Sequence, residues 1–257
     1  MSFSFSNTIR ITIFGESHGE AIGLTIDGLP CGIPLSCEDI QREVNCRRGD
    51  ESLTTARKEK DIIHFLSGIY NGFTTGGIIS LLINNEDIHS ESYQKGVIRP
   101  SHSDLTAYLK YQGFNDYRGG GFFSGRLSAL FFALGEISKE VLKHYGYEIK
   151  IMSHLINVGK LNDRSFSSNL NDDYQNLLNK KIKILDDKLQ QDVKEYIEKL
   201  RNLGDSCGGS IETIIVNPPK NLGEPYFDSF ESELGHLLFS LGGVKGVVFG
   251  DGEEMSK

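Results

Sequence analysis

The stretch IRITIFGESHGEAIGLTID, residues 9–27, decides the fold of this chain. Apolar residues alternate with polar or small ones in both of its halves, at Ile9, Ile11 and Ile13 and again at Ile22, Leu24 and Ile26. Alternation with a period of two is typical of half-buried strands. The connection between the halves, residues 15–19, is short and bounded by glycine. We therefore predict a β-hairpin whose loop exposes polar groups.

Outward from this hairpin, the chain mixes further strands with helices. Strand-like patterns cover residues 62–69, 77–83, 149–158 and 211–216, and apolar residues recur at helical spacing over residues 127–142, 186–203 and 228–241. A glycine follows each helical segment as a stop signal, and Asp228 and Glu231 have the spacing of a capping box. A shorter helical pattern begins near Ser36. Because strands and helices do not alternate strictly as βαβ units, we predict an α+β fold.

Residues 157–187 form the only stretch rich in Asn, Asp and Ser. Strong periodicity resumes on both sides of it, so we interpret it as a surface insertion and not as a linker between domains. We accordingly predict a single domain over residues 1–257.

Composition excludes several classes of function. The 257 residues include 27 Lys+Arg and 35 Asp+Glu, and the net charge of −8 disfavours binding to nucleic acid or to anionic membranes. The longest apolar stretch, residues 78–83, is far shorter than the roughly 20 residues that span a bilayer, and no export signal begins the sequence. The four cysteines show neither a C-x-x-C pair nor a zinc-type spacing. We therefore expect free thiols, no metal site and a cytoplasmic location.

Residues 15–19 formally match G-x-S-x-G, the pattern of the serine-hydrolase nucleophile elbow. That elbow needs a strand, a sharp turn and then a helix, whereas a strand pattern follows here. A hydrolase using Ser17 is therefore the weaker alternative. His18, in the same loop, is either a residue that caps a strand or a catalytic group, and the other motifs favour the second interpretation.

Three further segments carry arginine or histidine beside glycine or proline. Arg47 and Arg48 precede a glycine, which suits bidentate recognition of carboxylate or phosphate, although a solvated helix end is the simpler interpretation. Residues 99–104, RPSHSD, place His102 next to an arginine. Residues 118–126, RGGGFFSGR, run into the start of a predicted helix, where unpaired N–H groups favour an anion over a merely flexible loop. Together the motifs indicate a small, strongly anionic substrate.

In the same order along the chain, these motifs resemble the signatures of the chorismate synthase family. The resemblance rests on GESHGEAIGLTIDGLP (residues 15–30), RRG (47–49), RPSHSD (99–104), DYRGGG (116–121) and SGR (124–126), with weaker matches at residues 66–68, 74–76, 222–225 and 244–246. It covers nearly the whole chain and is densest before residue 133. It implies an α+β fold with helices sandwiched between antiparallel sheets, and a homotetramer.

The resemblance also implies the activity. Members of the family are lyases that remove phosphate and a ring hydrogen from 5-enolpyruvylshikimate 3-phosphate to give chorismate, the last step of the shikimate pathway. They need reduced FMN although no net redox change occurs, and some also use NADPH or depend on an external flavin reductase. By resemblance, His18 protonates the departing phosphate and His102 protonates the reduced flavin.

Further site residues follow from the same resemblance. Arg47 and Arg48 match the arginines that bind substrate and, in some members, NADPH, and Arg126 matches a position that holds the flavin or the substrate. The expected FMN contacts come from Phe122, Phe123, Ser124, Gly242 and Gly243.

Two features depart from the family pattern. Cys46 stands where members usually carry another arginine, and the sequence stops at Lys257, before a C-terminal segment with an Arg-x-Asp-Pro motif and further flavin contacts. We therefore expect residues 1–257 alone to bind FMN weakly and to turn over substrate poorly or not at all. A truncated, non-catalytic relative that binds FMN or phosphate is the alternative function.

Overall fold

The computed structural model describes residues 3–47, 59–178 and 180–252, so Arg48 lies outside the described residues. In these ranges the strands are β1 (Ser4–Ser6), β2 (Arg10–Gly15), β3 (Ala21–Asp27), β4 (Ile63–Ser67), β5 (Ile69–Tyr70), β6 (Phe73–Thr74), β7 (Ile79–Asn84), β8 (Lys150–Val158), β9 (Leu161–Asn162) and β10 (Gly209–Val216). The α-helices are α1 (Cys37–Cys46), α2 (Asp104–Lys110), α3 (Ala129–His144), α4 (Leu170–Leu178), α5 (Asp187–Asn202) and α6 (Phe230–Ser240). Short 3-10 segments cover Ser90–Ser92, Arg118–Phe123, Gly125–Ser128 and Tyr226–Asp228.

The chain divides into two compact units, of which the first contains residues 1–44, 59–144 and 219–257. Its main sheet has the strand order β1-β2-β3-β7-β4, and every neighbouring pair is antiparallel. The predicted hairpin is confirmed, since β2 pairs with β3 and Gly15 lies opposite Ile22. A β-carbon at Gly15, whose φ is +101°, would run into the backbone of Ala21, so this strand end requires glycine.

The neighbouring strands β3 and β7 of this sheet supply much of the hydrophobic core. Ile22, Leu24 and Ile26 of β3 and Ile79, Leu81 and Ile83 of β7 are all at most 1% exposed. The buried face of α3, which includes Leu130, Ala133 and Ile137, belongs to the same cluster. Because alternate strand residues point to one face, the period of two places one complete set of aliphatic side chains in this core.

Most of the predicted helix boundaries agree with the structure. The Ser36 hydroxyl accepts a hydrogen bond from the backbone N–H of Asp39 at the start of α1, and Asp186 caps α5 by accepting from the N–H of Lys188. The capping box proposed at Asp228 is wrong, because Ser229 is the capping residue and its hydroxyl accepts from the N–H of Ser232. Asp228 instead ends the preceding 3-10 turn.

The second unit contains residues 45–58 and 145–218, with the strand order β10-β8-β9 and the helices α4 and α5. Its core includes Val158, Ile184 and Val193. The interpretation of residues 157–187 as a surface insertion is therefore wrong. Polar residues dominate that stretch by number, but Ile182 and Ile184 within it are buried and complete the core.

Helices combined with antiparallel sheets confirm the predicted α+β class. None of the four cysteines, all of which are described, forms a disulfide. Within the described ranges, no helix has the length and apolar character that crossing a membrane requires. The single domain over residues 1–257 stays a prediction, because compact units of one chain can belong to one domain.

Candidate active site

His18 lies on the tight turn that joins β2 to β3. The backbone N–H of Gly19 donates to the carbonyl of Glu16 at 3.1 Å, which makes His18 the third residue of a four-residue turn. Its side chain is nearly enclosed, with 9% of the residue exposed. The imidazole packs edge-on against the ring of Tyr93, with 5.1 Å between the ring centres.

This turn also contains Ser17, and its surroundings decide the hydrolase alternative. Ser17 is 2% exposed and stands between two antiparallel strands. A nucleophile elbow instead presents its serine between a strand and a helix. The hydrolase interpretation is therefore wrong.

The triple glycine of residues 119–121 lies against the His18 turn. The carbonyl of Gly121 accepts a hydrogen bond from the N–H of Ser17 at 3.1 Å. Gly119 has a φ of +57°, and a β-carbon there would overlap the His18 imidazole. Only glycine combines this backbone conformation with so close an approach. The segment that the sequence assigned to an anion site therefore also packs directly against the His18 ring.

Asn85 supports the turn from the opposite direction. Its side-chain amide nitrogen donates to the carbonyls of Glu16 at 2.9 Å and Gly19 at 2.8 Å. Its side-chain oxygen accepts from Nε of Arg126 at 3.0 Å. No sequence motif indicates Asn85, and its only signal is its position directly after the apolar strand β7, which pairs with β3 of the hairpin.

Arg126 is almost completely buried, with 3% of the residue exposed. Its Nη2 lies 3.0 Å from a carboxylate oxygen of Glu59, and its Nη1 forms an ion pair with Asp61. All the polar partners described for the guanidinium therefore belong to this chain. The geometry favours a structural role, and the predicted contact of Arg126 with flavin or substrate stays a prediction.

Segment 99–104 reaches His18 through Tyr93. The Arg99 guanidinium lies over the Tyr93 ring at 5.2 Å from its centre and makes two hydrogen bonds to Asp104, of 2.8 and 2.9 Å. These bonds hold the pKa of the Asp104 carboxyl below its usual range. Tyr93 thus contacts both the predicted catalytic histidine and the cation of the second motif.

His102 is exposed, at the residue just before the N-cap of α2. Its Nδ1 lies 2.9 Å from the carbonyl oxygen of Pro100. A carbonyl only accepts, so Nδ1 carries the proton of that hydrogen bond, and Nε2 is the ring nitrogen that this bond leaves available.

A second arginine and aspartate pair stands beside the triple glycine. Arg118 donates to Asp116 through Nε at 2.9 Å and Nη2 at 2.8 Å, which lowers the pKa of the Asp116 carboxyl. A cavity of about 160 Å³ lies next to it, and its lining includes Asp104, Asp116 and Gly120. Both carboxylates of this cavity wall are therefore ionised and already held by arginines.

The predicted flavin contacts differ in their surroundings. The ring of Phe122 packs against Phe3, Tyr111 and Phe123, with ring centres 4.9–5.2 Å apart. Phe123 keeps 43% of its surface exposed, and the Ser124 hydroxyl accepts from the N–H of Arg126.

The predicted glycine and arginine positions have a different status. Gly242 and Gly243, directly after α6, border open space. Arg47 is half-buried in the second unit, and Arg48 is outside the described residues. The binding roles predicted for all four residues stay predictions.

Known proteins match this chain over nearly its whole length. A family model described as chorismate synthase matches residues 9–257. The chorismate synthase of Korarchaeum cryptofilum is 40% identical over 251 residues, which are 96% of this chain and 68% of that protein. The chorismate synthase of Campylobacter lari is 39% identical over 98% of this chain and 69% of its own length. A solved structure titled "Crystal Structure of Chorismate Synthase" superposes with a TM-score of 0.78 at 27% identity, over 96% of this chain and 71% of that one.

Proposed function

The chain belongs to the chorismate synthase family, and on that premise we propose that the His18 turn carries the proton donor of its active site. The family reaction is a lyase reaction of aromatic biosynthesis that eliminates phosphate and a ring hydrogen from 5-enolpyruvylshikimate 3-phosphate. The observation that supports the assignment is the enclosure of His18 between the triple glycine, Tyr93 and the turn held by Asn85.

The elimination needs an acid at the leaving group. The C–O bond to phosphate breaks with its electron pair on the phosphate oxygen, and His18 donates a proton to that oxygen. The ring C–H bond breaks as well: its electron pair forms the new ring double bond, and its hydrogen leaves as a proton to water, which offsets the proton that His18 gives to the phosphate. A positioned histidine is the side chain best suited to this transfer near neutral pH.

We propose reduced FMN as the cofactor, bound near Phe123, Ser124, Gly242 and Gly243. The exposed Phe123 ring and the open space beside both glycines fit a planar ligand, whereas Phe122 serves mainly to pack the core. When bound, the reduced flavin supplies an electron-rich ring without net redox change. His102 would hold a proton for it at Nε2, the nitrogen that Pro100 leaves available.

We also propose how the chain binds its anionic substrate and which partners it has. The substrate carries two carboxylates and a phosphate, and we assign Arg47 and Arg48 to its anionic groups or to NADPH, because arginine binds such groups in a bidentate manner. A homotetramer, a cytoplasmic location, one domain over residues 1–257 and an external flavin reductase are proposed on the family resemblance.

The test is anaerobic turnover with dithionite-reduced FMN. We expect His18→Ala and His102→Ala each to lower kcat by roughly 10²–10⁴, which is the usual contribution of a positioned acid or base. His64→Ala is the matched control, since His64 is an exposed residue on the edge strand β4. Normal turnover in either variant would remove that histidine from the mechanism. FMN binding without any turnover, both by residues 1–257 and by the same chain extended with a family C-terminal segment, would favour the non-catalytic alternative.

A further inference from the structure

Asn85 occupies a position that the sheet itself determines. β7 pairs with β3, and Asn84 at the end of β7 lies opposite Ala21 at the start of β3. The next residue, Asn85, continues this pairing through its backbone N–H, which donates to the carbonyl of Glu20 at 2.9 Å. Its side chain therefore starts at the end of the sheet where the His18 turn joins β2 to β3.

At this end of the sheet, both N–H groups and the oxygen of the Asn85 amide make hydrogen bonds. The two N–H groups of its amide donate to the carbonyls of Glu16 and Gly19, the first and last residues of the His18 turn. The side chain is buried, with 9% of the residue exposed. One amide thus joins both ends of the turn that the hydrogen bond from the Gly19 N–H to the Glu16 carbonyl closes.

Arg126 determines which way this amide points. Its Nε–H is only a donor, so the Asn85 oxygen must face it and the Asn85 nitrogen must face the two carbonyls. A flipped amide would set donor against donor and acceptor against acceptor. Arg126 is itself held by Glu59 and Asp61, which keeps the orientation of the amide unique.

We propose that Asn85 is a positioning residue that fixes the His18 imidazole for proton transfer. This inference rests on the catalytic role proposed for His18. The triple glycine leaves the ring little space on one side, as the overlap expected for a β-carbon at Gly119 demonstrates. A turn released by Asn85 would shift the ring relative to the leaving group, and a displacement of about 1 Å can reduce a rate about 10²-fold.

The decisive variant is Asn85→Asp. A carboxylate has nearly the same shape and still accepts from Arg126, but it cannot donate to the carbonyls of Glu16 and Gly19. We expect kcat to fall about 10²-fold with little change in KM. Asn84→Asp is the matched control, because it makes the same chemical change at the neighbouring exposed side chain and should leave kcat unchanged. Asn85→Ala removes the donors without adding charge and serves if the aspartate variant does not fold.

Two readouts separate positioning from a general loss of stability. In a His18→Ala background, Asn85→Asp should cause no further loss of turnover, because residues that act as one unit are not additive. In the NMR spectrum, the ring signals of His18 should shift or broaden in Asn85→Asp, whereas those of the other six of the seven histidines should stay in place.

Each contrary result has a defined meaning. Full turnover in both Asn85 variants, an unmoved His18 signal, or a full additional loss in the His18→Ala background would overturn the positioning role. If His18→Ala itself turns over normally, the catalytic assignment of His18 fails, and the NMR comparison still decides whether Asn85 orders the ring.

Discussion

In each unit of the molecule, a buried side chain with several nitrogen atoms contacts two carboxylates. In the first unit, Arg126 is 3% exposed and pairs with Glu59 and Asp61. In the second unit, His154 is 1% exposed, with Asp163 3.1 Å from Nδ1 and Glu212 2.7 Å from Nε2. Both clusters therefore hold a buried side chain between two carboxylates, although Glu212 is more exposed than the partners of Arg126.

The two clusters differ in the chain segments to which their other hydrogen bonds connect them. The Arg126 cluster continues through Asn85 to the turn that carries His18. In the His154 cluster, Asp163 accepts from the backbone N–H groups of Leu185 and Asp186, and Glu212 accepts from that of Phe166.

The second cluster therefore fastens loops to the strands β8 and β10. Burial of a charge does not by itself indicate a catalytic site, since the segment that the charge orders determines its role.

The largest expected effect is that of Arg126→Met. Removing the cation deprives two buried carboxylates of a shared partner, so the free energy of unfolding should fall by about 3–5 kcal/mol, measured by chemical denaturation. Turnover of the folded fraction should also be lost, because the Asn85 amide loses the donor that orients it.

Arg118→Met is the comparison for stability, because its ion pair with Asp116 is partly exposed and should contribute at most about 1 kcal/mol. If Arg126→Met unfolds more easily but keeps normal turnover at low temperature, the Arg126 cluster is only a scaffold, as we interpret the His154 cluster.

His154→Gln should have a smaller effect, restricted to stability. Glutamine keeps one donor group but cannot contact both carboxylates as the imidazole does, and leaving a buried polar group without its partner corresponds to about 2–3 kcal/mol. Amide hydrogen exchange at Leu185 should accelerate, because its acceptor Asp163 loses its partner. We expect turnover per folded molecule to stay unchanged, and a selective loss of kcat would contradict the division between the clusters.

Among the three buried groups, Asp173 near the start of α4 should have the smallest effect. Hydrogen bonds from Arg164 at 2.6 Å and from the N–H of Ser167 at 2.7 Å accompany a pKa lowered to about 2. A carboxyl with a lowered folded-state pKa stabilises the protein above its unfolded pKa of about 3.9, and this contribution disappears as the pH falls toward 2. Asp173→Asn should therefore cost about 2 kcal/mol at pH 7.

Denaturation curves across pH test this prediction. The difference in stability between the unsubstituted chain and Asp173→Asn should shrink between pH 4 and pH 2. A difference independent of pH would show that the carboxylate charge of Asp173 contributes nothing beyond its shape.

The sequence alone predicted the hairpin, the inner strands and the three longer helices. These elements depend on local periodicity, since residues two apart share a strand face and residues three or four apart share a helix face. The two predictions that were wrong also have physical reasons. Ser229 replaced Asp228 as the cap of α6 because boundaries depend on single backbone torsions, and residues 157–187 reached the core through a few isoleucines that average composition conceals.

The sequence by itself also determined the family, through motifs whose order and spacing are visible without coordinates. Only the tertiary structure decided how these motifs cooperate. Asn85 is 69 residues from Glu16 and 41 from Arg126, and Arg126 is 67 from Glu59. Contacts over such separations produce no periodic pattern in the sequence. They arise because antiparallel strands bring distant chain segments to one end of the sheet, where buried polar groups require partners. The sequence supplies His18, and the fold determines where its ring lies.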